Sequence, residues 1–204
     1  MSLSVVKVGG SLFDWPEFAS RLQRWLDAVD QSRVVILPGG GKYVDRVRQW
    51  QRQHDWTDER AHRRALEMLR LTSRLMKRWL PEAIWINDPV RITDCASRFI
   101  ILDCSHWAGQ LADLPQNWDL TSDSLSAILA TQLEAAELVL LKSRSPIADD
   151  PRQDPELVDP LFETYATTPV RIVNLRCPRF SESVYPRRAT EGDFEYPLGH
   201  RPRS

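Results

Sequence analysis

The sequence predicts an α/β fold built on a mainly parallel sheet, and three observations predict it. Short apolar runs rich in Val, Ile and Leu alternate with longer stretches of helical periodicity as far as about residue 145. Two of these runs close on glycine clusters, Gly9-Gly10 and Gly39-Gly40-Gly41, at the place where an open α/β sheet presents its ligands. Composition then shifts: all eight Trp lie between Trp15 and Trp118, whereas most of the 14 Pro fall from Pro146 onward.

Residues 4–8 read as the first strand. After its glycine turn, Asp14 is expected to cap a helix with Pro16 early in it, and Phe18, Leu22, Trp25, Leu26 and Val29 share one helical face. Residues 34–37 form a second buried strand, followed by the glycine triplet and a helix over 42–53. A longer helix, 57–79, carries Ala61, Ala65, Met68, Leu69, Thr72, Leu75, Met76 and Trp79 near helical spacing. Residues 83–86 and 98–102 are further strands, 122–133 a helix, 137–142 a strand and 170–174 a late strand. A single domain over 1–186 is expected, with 187–204 a flexible polar tail.

Hydrophobic residues make up 42% and charged residues 27%, values of a globular chain. Lys+Arg at 27 against Asp+Glu at 28 leaves a net charge of -1, which argues against nucleic acid as a partner. No apolar run approaches the ~20 residues of a membrane span, so no membrane partner is expected. The first residues lack a signal peptide's layout, and a cytoplasmic location is expected. Cys95, Cys104 and Cys177 suit neither a disulfide framework nor a C-x-x-C site and read as reduced thiols.

The chemistry concentrates at the glycine clusters. Glycines after a strand let the backbone approach a phosphate, and the N–H groups opening the next helix point at the anion. Neither cluster is a Walker A or a G-x-G-x-x-G motif. Two turns that need positive φ would give the same letters. Lys7 and Lys142 end strands and could bring charge to the same edge, although Lys142 could equally be a solvated strand end. Asp123 opens the 122–133 helix, either as a cap or as the acid that orients the lysines.

Lys7-Val8-Gly9-Gly10-Ser11, Gly39-Gly40-Gly41 and Asp123 together resemble, in order and spacing, the amino acid kinase family, which includes acetylglutamate, aspartate, uridylate, carbamate and isopentenyl phosphate kinases. Trp118-Asp119-Leu120-Thr121-Ser122-Asp123-Ser124, with Thr57-Asp58 and Ala61-His62, looks like a short branch. That branch contains the kinase of methylofuran biosynthesis that phosphorylates an aminomethylfuran methyl phosphate. The resemblance implies a three-layer αβα sandwich, with ATP and a small-molecule acceptor across the carboxyl ends of the strands. It implies catalytic roles for Lys7, Asp123 and Lys142, and ATP-phosphate contacts from Gly9, Gly10, Ser11, Gly39, Gly40 and Gly41. Asp58, His62, Asp119 and Ser122 become candidates for the acceptor, Arg60 stands near them, and Trp56 and Trp118 could stack on a planar ring. Mg²⁺ is expected through the ATP phosphates, without a protein cage, because the four His are scattered. A homodimer is expected through the 57–79 helix, whose Leu66, Leu69, Leu71 and Met76 point in more directions than one core stripe needs.

The chain also departs from the family. Lys142-Ser143-Arg144-Ser145-Pro146-Ile147 lacks the acid and glycine of the family's T-D-V-x-G, and Ala189-Thr190-Glu191-Gly192 is a poor match to its late G-T-x-[IV]. The expected activity is an ATP-dependent small-molecule kinase acting on a phosphate monoester. A carboxylate kinase, or a non-catalytic nucleotide- or oxyanion-binding protein on the same fold, are the alternatives.

Overall fold

The computed structural model describes residues 2–29, 33–111 and 113–186; the expected tail at 187–204, with Ala189-Thr190-Glu191-Gly192, lies outside them. Its strands are β1 (Leu3–Val8), β2 (Arg33–Pro38), β3 (Ile84–Ile86), β4 (Phe99–Leu102), β5 (Glu137–Lys142), β6 (Val170–Asn174) and β7 (Ser181–Tyr185). They form one sheet in the order β3-β4-β2-β1-β5-β6-β7, parallel throughout except for β7 on β6. β1 sits between β2 and β5, so connections leave it in both directions, which is the switch point where open sheets bind ligands.

The helices are α1 (Phe18–Ala28), α2 (Gly41–His54), α3 (Asp58–Trp79), α4 (Ser105–Gly109), α5 (Ser122–Gln132) and α6 (Phe162–Tyr165). Strand side chains alternate between two cores. Val5, Val35, Leu138 and Leu140 pack with Leu66 and Leu69 of α3, with α5 and with Phe162, whereas Val6, Ile36, Val139 and Leu141 pack with α1 and Met76. Burial on both faces explains the unbroken apolar runs and makes the fold the three-layer αβα sandwich expected.

Local signals account for the helix that borders the site. Thr57 caps α3 by accepting the Arg60 N–H at 3.3 Å, with Asp58 and Glu59 in the first turn and Lys77 and Arg78 in the last, both favoured by the helix dipole. α5 is different, since Ser122 through Ala130 are all buried and it has no wet face. Two of its serines are satisfied within the fold: Ser126 Oγ donates to the Asp123 carbonyl at 2.6 Å and Ser124 Oγ donates to Asp159.

Three expectations need correction. Asp14 does not cap α1: residues 10–17 wind through tight turns, the helix starts at Phe18, and Asp14 instead pairs with the Lys42 ammonium at 2.5 Å. Leu66, Leu69 and Met76 are buried in the chain's own cores, so of the four residues offered for a dimer only Leu71, 39% exposed, remains outside. β7 was absent from the expected elements because Ser181-Glu182-Ser183-Val184-Tyr185 buries only Tyr185, which meets Phe162 edge-on at 5.3 Å. No helix among the described residues is long and apolar enough to cross a membrane. The three cysteines are free thiols, Cys104 buried and the others half-buried.

Candidate functional site

The two glycine turns interlock. A Cβ on Gly10 would lie 2.0 Å from the Gly41 nitrogen, and one on Gly41 would lie 2.6 Å from the Gly10 carbonyl oxygen. Of the site's glycines only Gly41 has a positive φ, at 52°, so close backbone approach, rather than turn conformation, is what most of them supply. The Gly9 N–H donates to the Leu141 carbonyl and the Gly39 N–H to the Val8 carbonyl, each at 2.8 Å. Those two amides extend the sheet ladders and are not available to an anion, which corrects the direct phosphate role expected of Gly9 and Gly39. The amides that follow, at Gly10-Ser11 and Gly40-Gly41, open helical turns whose first N–H groups have no intrahelical acceptor.

Across these turns stand three charges, Lys7 and Asp123 buried and Lys142 half-buried. The Lys7 ammonium is 2.8 Å from Asp123 Oδ1, and the Lys142 ammonium donates to both Asp123 oxygens at 2.9 and 3.0 Å. The parallel register explains the convergence, because Lys7 on β1 lies beside Leu140, two residues before Lys142 on β5. Burial would raise the Asp123 carboxyl, but the charges of Lys142 and Lys7 overcome it and hold its pKa at about 2. Burial lowers Lys142 to about 8, against the pull of Asp123, with Lys7 adding repulsion. Two ammonium groups share one carboxylate, so Asp123 neutralises neither fully and orients both.

Asp159 holds this arrangement in place. It accepts the Thr121 N–H, the Thr121 hydroxyl and the Ser124 N–H at 3.0, 2.8 and 3.0 Å, and so caps the first turn of α5 that carries Asp123. Burial and the Asp123 charge push its own pKa up, against hydrogen bonds from Ser124 and Thr121. The cap role considered for Asp123 therefore belongs to Asp159.

Two clefts meet at Lys7. The larger, about 340 Å³, runs between the glycine turns, α2, α3 and the start of α5. The smaller, about 180 Å³, lies on the β5 side and is lined by Lys142, Ser143, Arg144 and Gly9. Lys7, Gly10, Ser11 and Glu156 line both. Ser11 and Ser143 hydroxyls are 2.9 Å apart across the smaller cleft, and Arg144 is clamped by Asp154, Nη2 to Oδ1 at 2.9 Å.

The acceptor candidates divide. His62 and Ser122 line the larger cleft. His62 Nδ1 is 3.4 Å from the Asn117 carbonyl oxygen, and burial lowers its pKa. Asp58 and Asp119 do not reach the cleft. Asp58 accepts from Gln51 Nε2 at 2.7 Å, and Gln51 Oε1 in turn accepts the Trp118 indole N–H at 2.6 Å, so Asp58 acts by fixing a cleft wall. Asp119 forms a turn with Asn117, whose side chain donates to its Oδ2 at 3.0 Å and accepts its N–H. Trp56 also stands apart, under Arg60 at 4.4 Å, whereas Trp118 lines the cleft beneath Arg48 at 4.4 Å. Asp45 and Arg48 line the cleft as well and were not among the expected residues. Their spacing carries the signal: Gly41, Asp45 and Arg48 fall at i, i+4 and i+7 on one face of the helix that starts at the glycine triplet.

Among the described residues no three His, Cys, Asp or Glu gather as a metal cage. Asp123 is already held by two lysines, whereas Glu156, which lines both clefts, makes no ion pair among the described residues. The donor set suits an ion carried in by phosphate oxygens and touched at most by one or two carboxylates.

A parallel sheet with a switch point, two interlocked glycine turns and a lysine–aspartate–lysine cluster make up the fold and its candidate site. Solved structures bear out that fold. A uridylate kinase from Archaeoglobus fulgidus aligns with a TM-score of 0.62 at 15% identity, over 92% of each chain. A UMP kinase from Ureaplasma parvum gives 0.62 at 13% identity, over 90% of this chain and 98% of the other. An aspartate kinase from Synechocystis gives 0.64 at 14% identity, over 93% of this chain and 40% of the other. No family model and no curated protein matches the sequence.

Proposed function

We propose that this chain is an ATP- and Mg²⁺-dependent kinase that transfers the γ-phosphoryl group to a small phosphate monoester. The observation that carries the reading is the Lys7–Asp123–Lys142 cluster at the junction of two clefts with shared walls. Phosphoryl transfer asks the protein for in-line alignment and charge stabilisation rather than covalent chemistry. The smaller cleft, with Lys142, Ser143 and the Gly10-Ser11 amides, takes the donor phosphates. The larger takes the acceptor, with Arg48 and His62 as its polar groups and Trp118 as a flat wall. Lys7, common to both, faces the phosphoryl group throughout its passage, and Asp123 keeps both ammonium groups aimed. Mg²⁺ bound to the donor phosphates supplies further charge neutralisation. The likeness of residues 118–124 to the methylofuran branch makes an aminomethylfuran methyl phosphate the specific acceptor to test.

The test is incubation of the purified protein with Mg-ATP and a panel of phosphate monoesters and carboxylates, with phosphorus NMR reading the products. A new diphosphate from a monoester is the expected result. Transfer to carboxylates alone would move the assignment to the acetylglutamate or aspartate kinase type. Nucleotide binding without transfer to anything would leave a binding protein on a kinase fold.

A further inference from the structure

Charge is distributed unevenly along this chain. Residues 41–79, which hold α2 and α3, carry 11 Lys and Arg against 5 Asp and Glu, whereas residues 80–170 carry 5 against 15. The net charge of -1, which argues against nucleic acid for the chain as a whole, therefore averages a basic helical hairpin with an acidic remainder. At the tip of that hairpin the positive charge meets aromatic rings. Arg46 lies over the Trp50 ring at 5.4 Å, Trp50 stands 6.3 Å from Trp56, and Trp56 is flanked by Arg60 at 4.4 Å and by a stacked His54 at 6.1 Å. Arg46, Trp50, His54 and Arg60 are exposed, and none of these five residues lines either cleft of the candidate site. Neighbouring cations are neutralised, Arg48 by Asp45, Arg63 by Glu59 and Arg64 by Glu67. Arg46 and Arg60 make no ion pair among the described residues.

We propose that this corner of α2 and α3 is a docking surface for single-stranded nucleic acid. An arginine laid over an indole keeps its full charge and its N–H fork, so a phosphate meets a donor already held in place. The planar guanidinium also offers its outer face to a base. Those two properties decide among polyanions. An acidic peptide could use the forks but has no base to lay on the guanidinium planes. An anionic bilayer asks for rings that protrude, whereas Trp50 is only 37% exposed and Trp56 is half-buried between Arg60 and His54. The acidic remainder of the chain repels the strand and confines it to the hairpin. This surface goes beyond the kinase reading and does not rest on it, because the two share no residue.

Fluorescence anisotropy of a labelled oligouridylate of about 20 nucleotides with the full chain, between about 50 and 200 mM NaCl, tests this. The wild type is expected to bind, with log affinity falling linearly as log salt rises. Arg46→Ala and Arg60→Ala should each make that slope shallower by about 0.7, the loss of one phosphate contact on a single strand, and together by about 1.4. Arg46→Lys with Arg60→Lys keeps the charge and hence the slope, but loses the planar fork and should bind severalfold more weakly. Both positions are exposed, so all these variants should melt near the wild type. No binding at the lowest salt, or a slope that neither alanine variant changes, overturns the proposal. So does a lysine pair that binds as tightly as the wild type. Equal affinity for a polyglutamate of the same length or for phosphatidylserine vesicles overturns it in favour of an acidic protein or a membrane.

Discussion

Lys7 and Lys142 share Asp123, yet their consequences differ, because Lys7 lines both clefts and Lys142 only the smaller. Replacing Lys7 by Met should lower kcat by about 10²–10³, comparable to removing one preorganised oxyanion donor, while nucleotide affinity changes far less. A proportionate loss of affinity in calorimetry would mean that Lys7 only binds. Lys142 adds a pH signature. Its folded pKa of about 8 lies below the 10.5 of a free lysine, so the ammonium that the donor phosphates need is lost as pH rises through about 8. Because kcat/KM reports the free enzyme, it should fall above about pH 8, and Lys142→Arg, always charged, should move that limb upward. A limb unmoved by the substitution would belong to another group. Stability runs separately. Asp123, held at about 2 against 3.8 for a free carboxyl, contributes stability that is complete above about pH 4 and lost as pH falls towards 2. Lys142 adds a slope of the same sign in a higher window, since its folded form resists protonation and the fold gains stability as pH rises from 8 to 10.5.

The two glycine turns act as one element. Gly10 and Gly41 leave no room for a Cβ on either, and Gly41 adds a positive φ. Gly10→Ala and Gly41→Ala should each cost about 1–3 kcal/mol, read as a shifted urea midpoint at constant slope. The double variant should cost less than the sum, because one displacement relieves both contacts; strict additivity would mean that the turns do not touch. This contact explains what the sequence could and could not disclose. The glycine letters and the strands before them were legible, as were α3 and the placement of Asp123 on α5. Which amides remain for an anion was not legible, since the Gly9 and Gly39 N–H groups are consumed by pairing with β5 and β1, which is a property of the assembled sheet. Asp58 and Asp119 failed as cleft residues for the same kind of reason, as Gln51 and Asn117, unremarkable in sequence, capture their carboxylates. β7 escaped because an edge strand that buries one residue in five has no alternating apolar pattern.

At the scale of the whole molecule the β3 edge of the sheet carries exposed apolar side chains. β3 pairs only with β4, Ile84 on it is 47% exposed, Val90 just after it is 56% exposed, and Leu71 faces outward from α3. Scattered apolar surface needs no explanation, but an unpaired parallel edge strand beside outward Leu and Ile is the kind of edge that proteins usually blunt. Here the nearby charge is Arg74, which lies 4.7 Å over the Trp85 ring and covers part of the strand. The expected homodimer therefore passes from the core-facing residues of α3 to this border, and a second copy is its proposed occupant. Light scattering at tens of micromolar should give twice the 23.6 kDa of the chain. Ile84→Lys and Leu71→Glu should each shift the population towards monomer with melting temperature little changed, because neither residue supports its own core. A monomer in the wild type rejects the dimer, and a dimer indifferent to both substitutions assigns the interface to another face.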